Sequence, residues 1–369
     1  MGKKHILLLL TLVMLALLSG VYVVGGVQAY SRFRQNSLAD QEHCGGQAPV
    51  HICVYAPAAV FSAFYPSYVA TQYPLFKVNY SSDSAQTLLI NVSIGKFSQE
   101  ETQTVSANGS TQTSAFIPPL QGQILRNLTT DMNTSLHVQV TDTHNQTYYL
   151  NDIPLLLRSR WLMQWLVSNR LQIAAWVTPN DPAVAELVRK ATAHLASEAP
   201  PAPPGMIGYK GSAPQVTAQV DAIYDSLRLD YGITYIQASV PYNGTAGDTT
   251  NESAGGNNVT QYVKLPAEVL QQRSGMCTEL TILLAAAVER IGLHASIVVI
   301  PGHAFLGVAV TEDNKHIQYW DAVDVNNNIA ADSANVAANV LYEKNLKQRT
   351  IVDTIAIQEA RAARIGPMV

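Results

Sequence analysis

Cys277, His303 and two nearby carboxylates, Asp321 and Asp324, are the residues whose types and order suit covalent chemistry. Downstream of Cys277, the residues Leu280, Leu283, Leu284, Val288 and Ile291 recur at helical spacing, and Gly292 follows as a stop. This pattern predicts that Cys277 opens a helix. Unpaired amides and the positive end of the dipole at such a terminus favour a thiolate, the nucleophilic form of the side chain. Gly275, just upstream, is expected to let backbone approach a substrate closely. Ala295–Ile300 has the composition of a buried strand, Pro301-Gly302 makes a turn, and His303–Val310 reads as the antiparallel return strand. An imidazole at the start of that strand would reach the thiol if the hairpin packs on the helix. A third strand, Ile317–Trp320, leads to Asp321 and Asp324, and either carboxylate would hold the imidazole in the useful tautomer.

A lone cysteine is most often a small buried hydrophobe. The helix start, Gly275 and the downstream His303 together set Cys277 apart from that default. Glu279 is expected to cap the helix or to be solvated, His294 and His316 to be surface or strand-end residues, and Trp320 to lie in the core or a cleft wall. A zinc site on Cys277 and His303 lacks a fourth ligand at useful spacing, and no Cys-X-X-Cys pair offers redox chemistry. The expected site therefore needs neither metal nor cofactor. Asp248 and Glu252 sit in a loop rich in Gly, Asn and Thr, at a spacing that matches no calcium-binding loop.

At 369 residues the chain exceeds one average domain. Hydrophobic residues make up 47%, which supplies a core and excludes wholesale disorder. Lys and Arg total 23 against 27 Asp and Glu, so no basic excess exists for a nucleic-acid partner. Three cysteines are too few for a disulfide scaffold. Cys44 and Cys53 lie in a Gly/Pro-containing segment at a spacing that a disulfide closes in an oxidising compartment, which leaves Cys277 as the odd thiol.

Lys3 and Lys4 precede an apolar run, Ile6 to Val27. About 20 such residues cross a bilayer, so residues 1–30 read as a single-pass anchor, with a cleaved signal peptide as the alternative. Either reading puts the remainder outside the cytoplasm, on the cell membrane or secreted. Residues 31–58 read as a tether. Alternating segments such as Leu75–Tyr80, Thr87–Ile94, Leu136–Val140 and Gln146–Leu150 predict an antiparallel β-sandwich over 59–157. Its Asn-X-Ser/Thr triplets are those a polar β surface generates by chance. Residues 158–214 read as a helical connector, with Trp161, Leu162, Trp165, Leu166 and Ile173 at near-helical spacing, Asp181-Pro182 opening a helix, and a proline-dense linker near 199–204. The remainder, 215–369, is the segment with the chemistry, in an α+β chain.

The ordered run Glu268-Val-Leu, Arg273-Ser-Gly-Met-Cys277, Ile291-Gly-Leu, Pro301-Gly-His303-Ala-Phe and Trp320-Asp-Ala-Val-Asp324 resembles the transglutaminase-like superfamily core over about residues 215–330. The resemblance implies a papain-like domain with Cys277 as nucleophile, His303 as general base and Asp324, four positions after the tryptophan, as the third member. It also implies a peptide or protein substrate, such as a cell-surface protein, attacked through a thioester, with hydrolysis favoured over crosslinking. Lys264 departs from the pattern, since related sequences carry glutamine there. The alternative is a silent binding or structural module of the cell envelope on the same fold.

Overall fold

Period-two alternation of apolar residues shapes the first part of the computed structural model, which describes residues 41–166, 169–197, 203–238 and 260–368. Strands β1 (Gln41–Gly45), β2 (Val50–Ala56), β3 (Ala59–Phe61), β4 (Phe76–Ser82), β5 (Gln86–Ser93), β6 (Glu101–Ala107), β7 (Gln112–Phe116), β8 (Met132–Asp142) and β9 (Thr147–Arg158) follow in order. They build a four-stranded sheet, β1-β2-β4-β7, and a five-stranded sheet, β3-β9-β8-β5-β6. All pairings are antiparallel except β3 with β9. Val50, Ile52 and Val54 of the first sheet and Leu88, Ile90, Leu136 and Val138 of the second are buried in one apolar cluster.

Two expectations change here. Within the supposed tether, residues 41–56 form β1 and β2 and supply a wall of the core. The alternation of Val50, Ile52 and Val54 is ordinary strand patterning, partnered by β4. Cys44 and Cys53 face one another across the β1–β2 pair and are disulfide-bonded. The supposed helical connector instead begins with strand β10 (Leu162–Gln164), followed by a 3₁₀ segment, Arg170–Trp176.

Helix α1 (Pro182–Ala191) starts as expected, with Asp181 accepting the Ala183 N–H at 2.8 Å. Then come α2 (Ala213–Ser226), which runs on as a π-helical turn to Tyr231, strand β11 (Thr234–Tyr235), strand β12 (Thr260–Tyr262), α3 (Pro266–Gln272), strand β13 (Ser274–Gly275) and α4 (Cys277–Arg290). Strands β14 (Ala295–Ile300), β15 (His303–Ala309), β16 (Ile317–Trp320) and β17 (Asp353–Ala356) form an antiparallel sheet in the order β16-β15-β14-β17. Helix α5 (Ala331–Gln348) packs against β16, and α4 packs against β15 and β14. The chain is thus α+β, built on antiparallel sheets.

These regions are fastened to each other. β10 pairs antiparallel with β12, and the Arg160 guanidinium donates to Glu268 at 2.7 Å. The Trp161 indole donates to the same carboxylate. Among the described residues no helix is long and apolar enough to cross a membrane. The apolar run at 6–27 and the loop carrying Asp248 and Glu252 lie outside the described residues.

Candidate active site

Cys277 is the first residue of α4, and the elements around it explain how it is held. The buried carboxylate of Glu279 accepts the N–H of Met276 at 3.0 Å and the N–H of Lys264 at 2.8 Å. Two donors that would otherwise be unpaired are satisfied, so Glu279 caps the helix and is not solvated. Lys264 turns its ammonium to the Ser274 carbonyl at 2.8 Å, which ties down the loop before the nucleophile. Gly275 serves packing in this structure. A Cβ there would lie 2.9 Å from Leu280 Cδ2 and 3.2 Å from Val269 Cγ1, so glycine lets α3 and α4 close on the turn. Glu279→Gln leaves one acceptor oxygen for these donors and should cost about 1.5–3 kcal/mol. Urea unfolding measures this, and an unchanged midpoint would refute the capping role.

The hairpin β14–β15 delivers the histidine. Ile300 pairs with His303 across the Pro301-Gly302 turn, so the imidazole stands at the strand's first residue. Thr281, one turn into α4, shares its hydroxyl between the carbonyls of Cys277 (2.8 Å) and Ala304 (3.2 Å). That link pins the helix start to the strand start, which brings His303 near enough to Cys277 for the thiol to raise the imidazole's pKa.

The carboxylate partner of His303 is Asp321. Its Oδ2 lies 2.7 Å from His303 Nε2, and its Oδ1 accepts the N–H of Val323 at 3.1 Å. Asp324, favoured by the superfamily spacing, does not make this bond. The register explains why. Leu306 opposes Trp320, so Asp321 continues beside Phe305, on the same face as His303 and diagonal to it. The chain then leaves the sheet in the 3₁₀ turn Ala322–Val325, which carries Asp324 away. Burial and the charge of Asp321 raise the Asp324 pKa, and Asn327 bonds to its side chain.

Burial alone would lower the His303 pKa, but hydrogen bonds to Asp321 and Cys277, and the charges of both, push it up to about 10. The surroundings therefore favour the imidazolium form of His303. With Nε2 engaged by Asp321, Nδ1 is the ring nitrogen left for the sulfur.

Cys277 is only 1% exposed and touches the apolar core. Its sulfur nonetheless has polar neighbours, with the Ala238 carbonyl at 3.7 Å and Thr278 Oγ1 at 4.0 Å. Ala238 belongs to a segment that passes Cys277, anchored by Thr234 N–H to Arg273 O and Ile236 N–H to Gly275 O, both 2.9 Å, and by Tyr235 N–H to Asn326 Oδ1 at 3.1 Å. Burial and the charges of Cys277 and Asp321 raise the Tyr235 phenol pKa. The parallel pairing of β11 with β13 lays this strap down, and no motif in the sequence announces it.

His294 sits just before β14, at a strand end, with its ring on Asn314, and Trp320 is fully buried with its indole on Asp221. No protein-family model matches the chain, and no curated protein matches it.

Proposed function

We propose that this protein is a transglutaminase-like thiol enzyme, with a β-sandwich domain followed by a papain-like domain, acting on peptide or carboxamide bonds through a thioester. The observation that supports it best is the His303–Asp321 pair at 2.7 Å, set at the strand start that Thr281 ties to the first residue of α4, Cys277. In this reading the thiolate attacks a carbonyl carbon, and the C–N bond breaks as His303 hands its proton to the leaving nitrogen. Neutral His303 then takes a proton from the incoming water or amine, which attacks the thioester and frees the sulfur. Asp321 keeps Nε2–H oriented throughout, so that Nδ1 faces the sulfur. The Cys277 N–H at the start of α4 is the donor placed for the developing oxyanion.

Water makes the enzyme a hydrolase and an amine makes it a crosslinker, and hydrolysis is the preferred reading because excluding water needs special shielding. A carbonyl carbon reaches the sulfur once the Ala238 segment is drawn aside. The apolar run at 6–27 is consistent with an anchor that leaves this site outside the cytoplasm.

The test incubates the protein with glutamine-containing peptides and a primary amine, and reads product masses. Deamidation, chain scission or amine incorporation that vanishes in Cys277→Ala supports an enzyme. Identical mass spectra with and without the protein would favour a silent envelope module.

A further inference from the structure

Asp221 lies on α2, its side chain turned into the protein at 8% exposure. Its Oδ1 accepts the indole N–H of Trp320 at 2.7 Å. The charged groups facing it are unfavourable: Asp225 on its own helix and Asp332 in the first turn of α5. The nearby guanidinium of Arg228 is held by Asp225 at 3.0 Å. Burial pushes the Asp221 pKa up to about 7, even though the Trp320 hydrogen bond favours the ionised form. A buried carboxylate facing like charges is unfavourable for a fold to retain, and such groups concentrate near functional sites.

Its position gives the retention a reason. Trp320 is fully buried and immediately precedes Asp321, whose Oδ2 lies 2.7 Å from His303 Nε2. From the next turn of the same helix, the Tyr224 hydroxyl reaches the carbonyl of Asp321 at 3.5 Å. Helix α2 therefore grips the Trp320-Asp321 pair at the indole and at the backbone.

We propose that Asp221 is a positioning residue for the Cys277–His303–Asp321 site, holding Asp321 in place through the Trp320 indole and relaying its own charge state to His303. The inference rests on the thiol-enzyme reading above. An ionised Asp221 binds the indole N–H more strongly than a protonated one, because the bond is then charge-assisted. The site is thus held more firmly as the pH rises through neutrality.

The probe is iodoacetamide on the full chain, with Cys277 as its target, because the other two cysteines are joined to each other. Alkylation rates are measured from about pH 5 to about pH 9. The wild-type profile is expected to show an inflection near 7, where Asp221 ionises. Asp221→Ala should slow alkylation about tenfold, roughly what one pKa unit of altered ionisation is worth. Asp221→Asn, which retains an oxygen acceptor, should recover most of that loss yet erase the inflection. Trp320→Phe removes the indole through which Asp221 acts and should likewise erase the inflection.

Profiles of all three variants parallel to the wild type would overturn the proposal. If Asp221→Ala fails to fold by circular dichroism, the Asn profile decides alone, and an inflection that persists there refutes the relay. A His303→Ala control separates the two readings. If it leaves the rate unchanged, the thiol-enzyme reading fails. If it slows alkylation while the Asp221 and Trp320 profiles superimpose on the wild type, only the positioning role fails.

Discussion

His303→Ala is expected to slow acyl transfer from a peptide substrate by roughly 1,000-fold, the scale of losing a general acid–base together with its hold on the nucleophile. The imidazole bonds Asp321, and the Cys277 thiol raises its pKa. Without it, the described hydrogen-bond neighbours of the sulfur are the Ala238 carbonyl and the Thr278 hydroxyl, and neither can take up a proton in neutral water. Single-turnover release of ammonia or amine measures the effect, and a change under about tenfold would remove His303 from the mechanism.

A second readout follows from linkage. His303 has a folded pKa raised from 6.5 to about 10, so its coupling stabilises the fold fully below pH 6.5 and loses that effect as pH climbs through about 10. Any stability advantage of wild type over His303→Ala should therefore shrink between those pH values. A gap that widens there would contradict the assigned ion pair.

The second large effect distinguishes the two aspartates. Asp321→Asn leaves one acceptor oxygen for two donors, His303 Nε2–H and Val323 N–H, and removes a negative charge that holds the imidazolium. The imidazole then loses its orientation and gives up its proton more readily, so turnover should fall about 1,000-fold or more. Asp324→Asn removes a carboxylate that bonds to Asn327, and should change turnover less than about threefold. Equal losses in the two variants, or a larger loss at 324, would mean that the chain after Trp320 rearranges when substrate binds.

The hairpin and the helix start were legible because each has a local cause. A run of buried aliphatic residues broken by Pro301-Gly302 permits little except two paired strands, and Leu280, Leu283 and Leu284 share a helical face only if α4 begins near Cys277. The choice between Asp321 and Asp324 depends on how β16 registers against β15, which is a tertiary fact. The Trp161–Leu166 segment was misread because two tryptophans four apart also suit a strand whose partner, β12, lies about a hundred residues away. In the same way, β1 and β2 were hidden by a segment whose glycines and prolines suggested a tether. Thr281 and Asp221 carry no motif, and only the contacts of α4 with β15 and of α2 with Trp320 show what they hold.

The join at β10 and β12 bears on how the protein can be divided. A chain trimmed to begin at residue 215, where the superfamily resemblance starts, would strip β12 of β10, its paired strand among the described residues. Glu268 would lose Arg160 and Trp161, and Gln261 would lose the Trp165 indole at 2.8 Å, leaving buried polar atoms beside the loop that ends at Cys277. Proteolysis or gene fusion that separates the two halves is therefore expected to disturb the Cys277 loop from a distance, although the described hydrogen bonds of Cys277, His303 and Asp321 involve no residue of β1–β9.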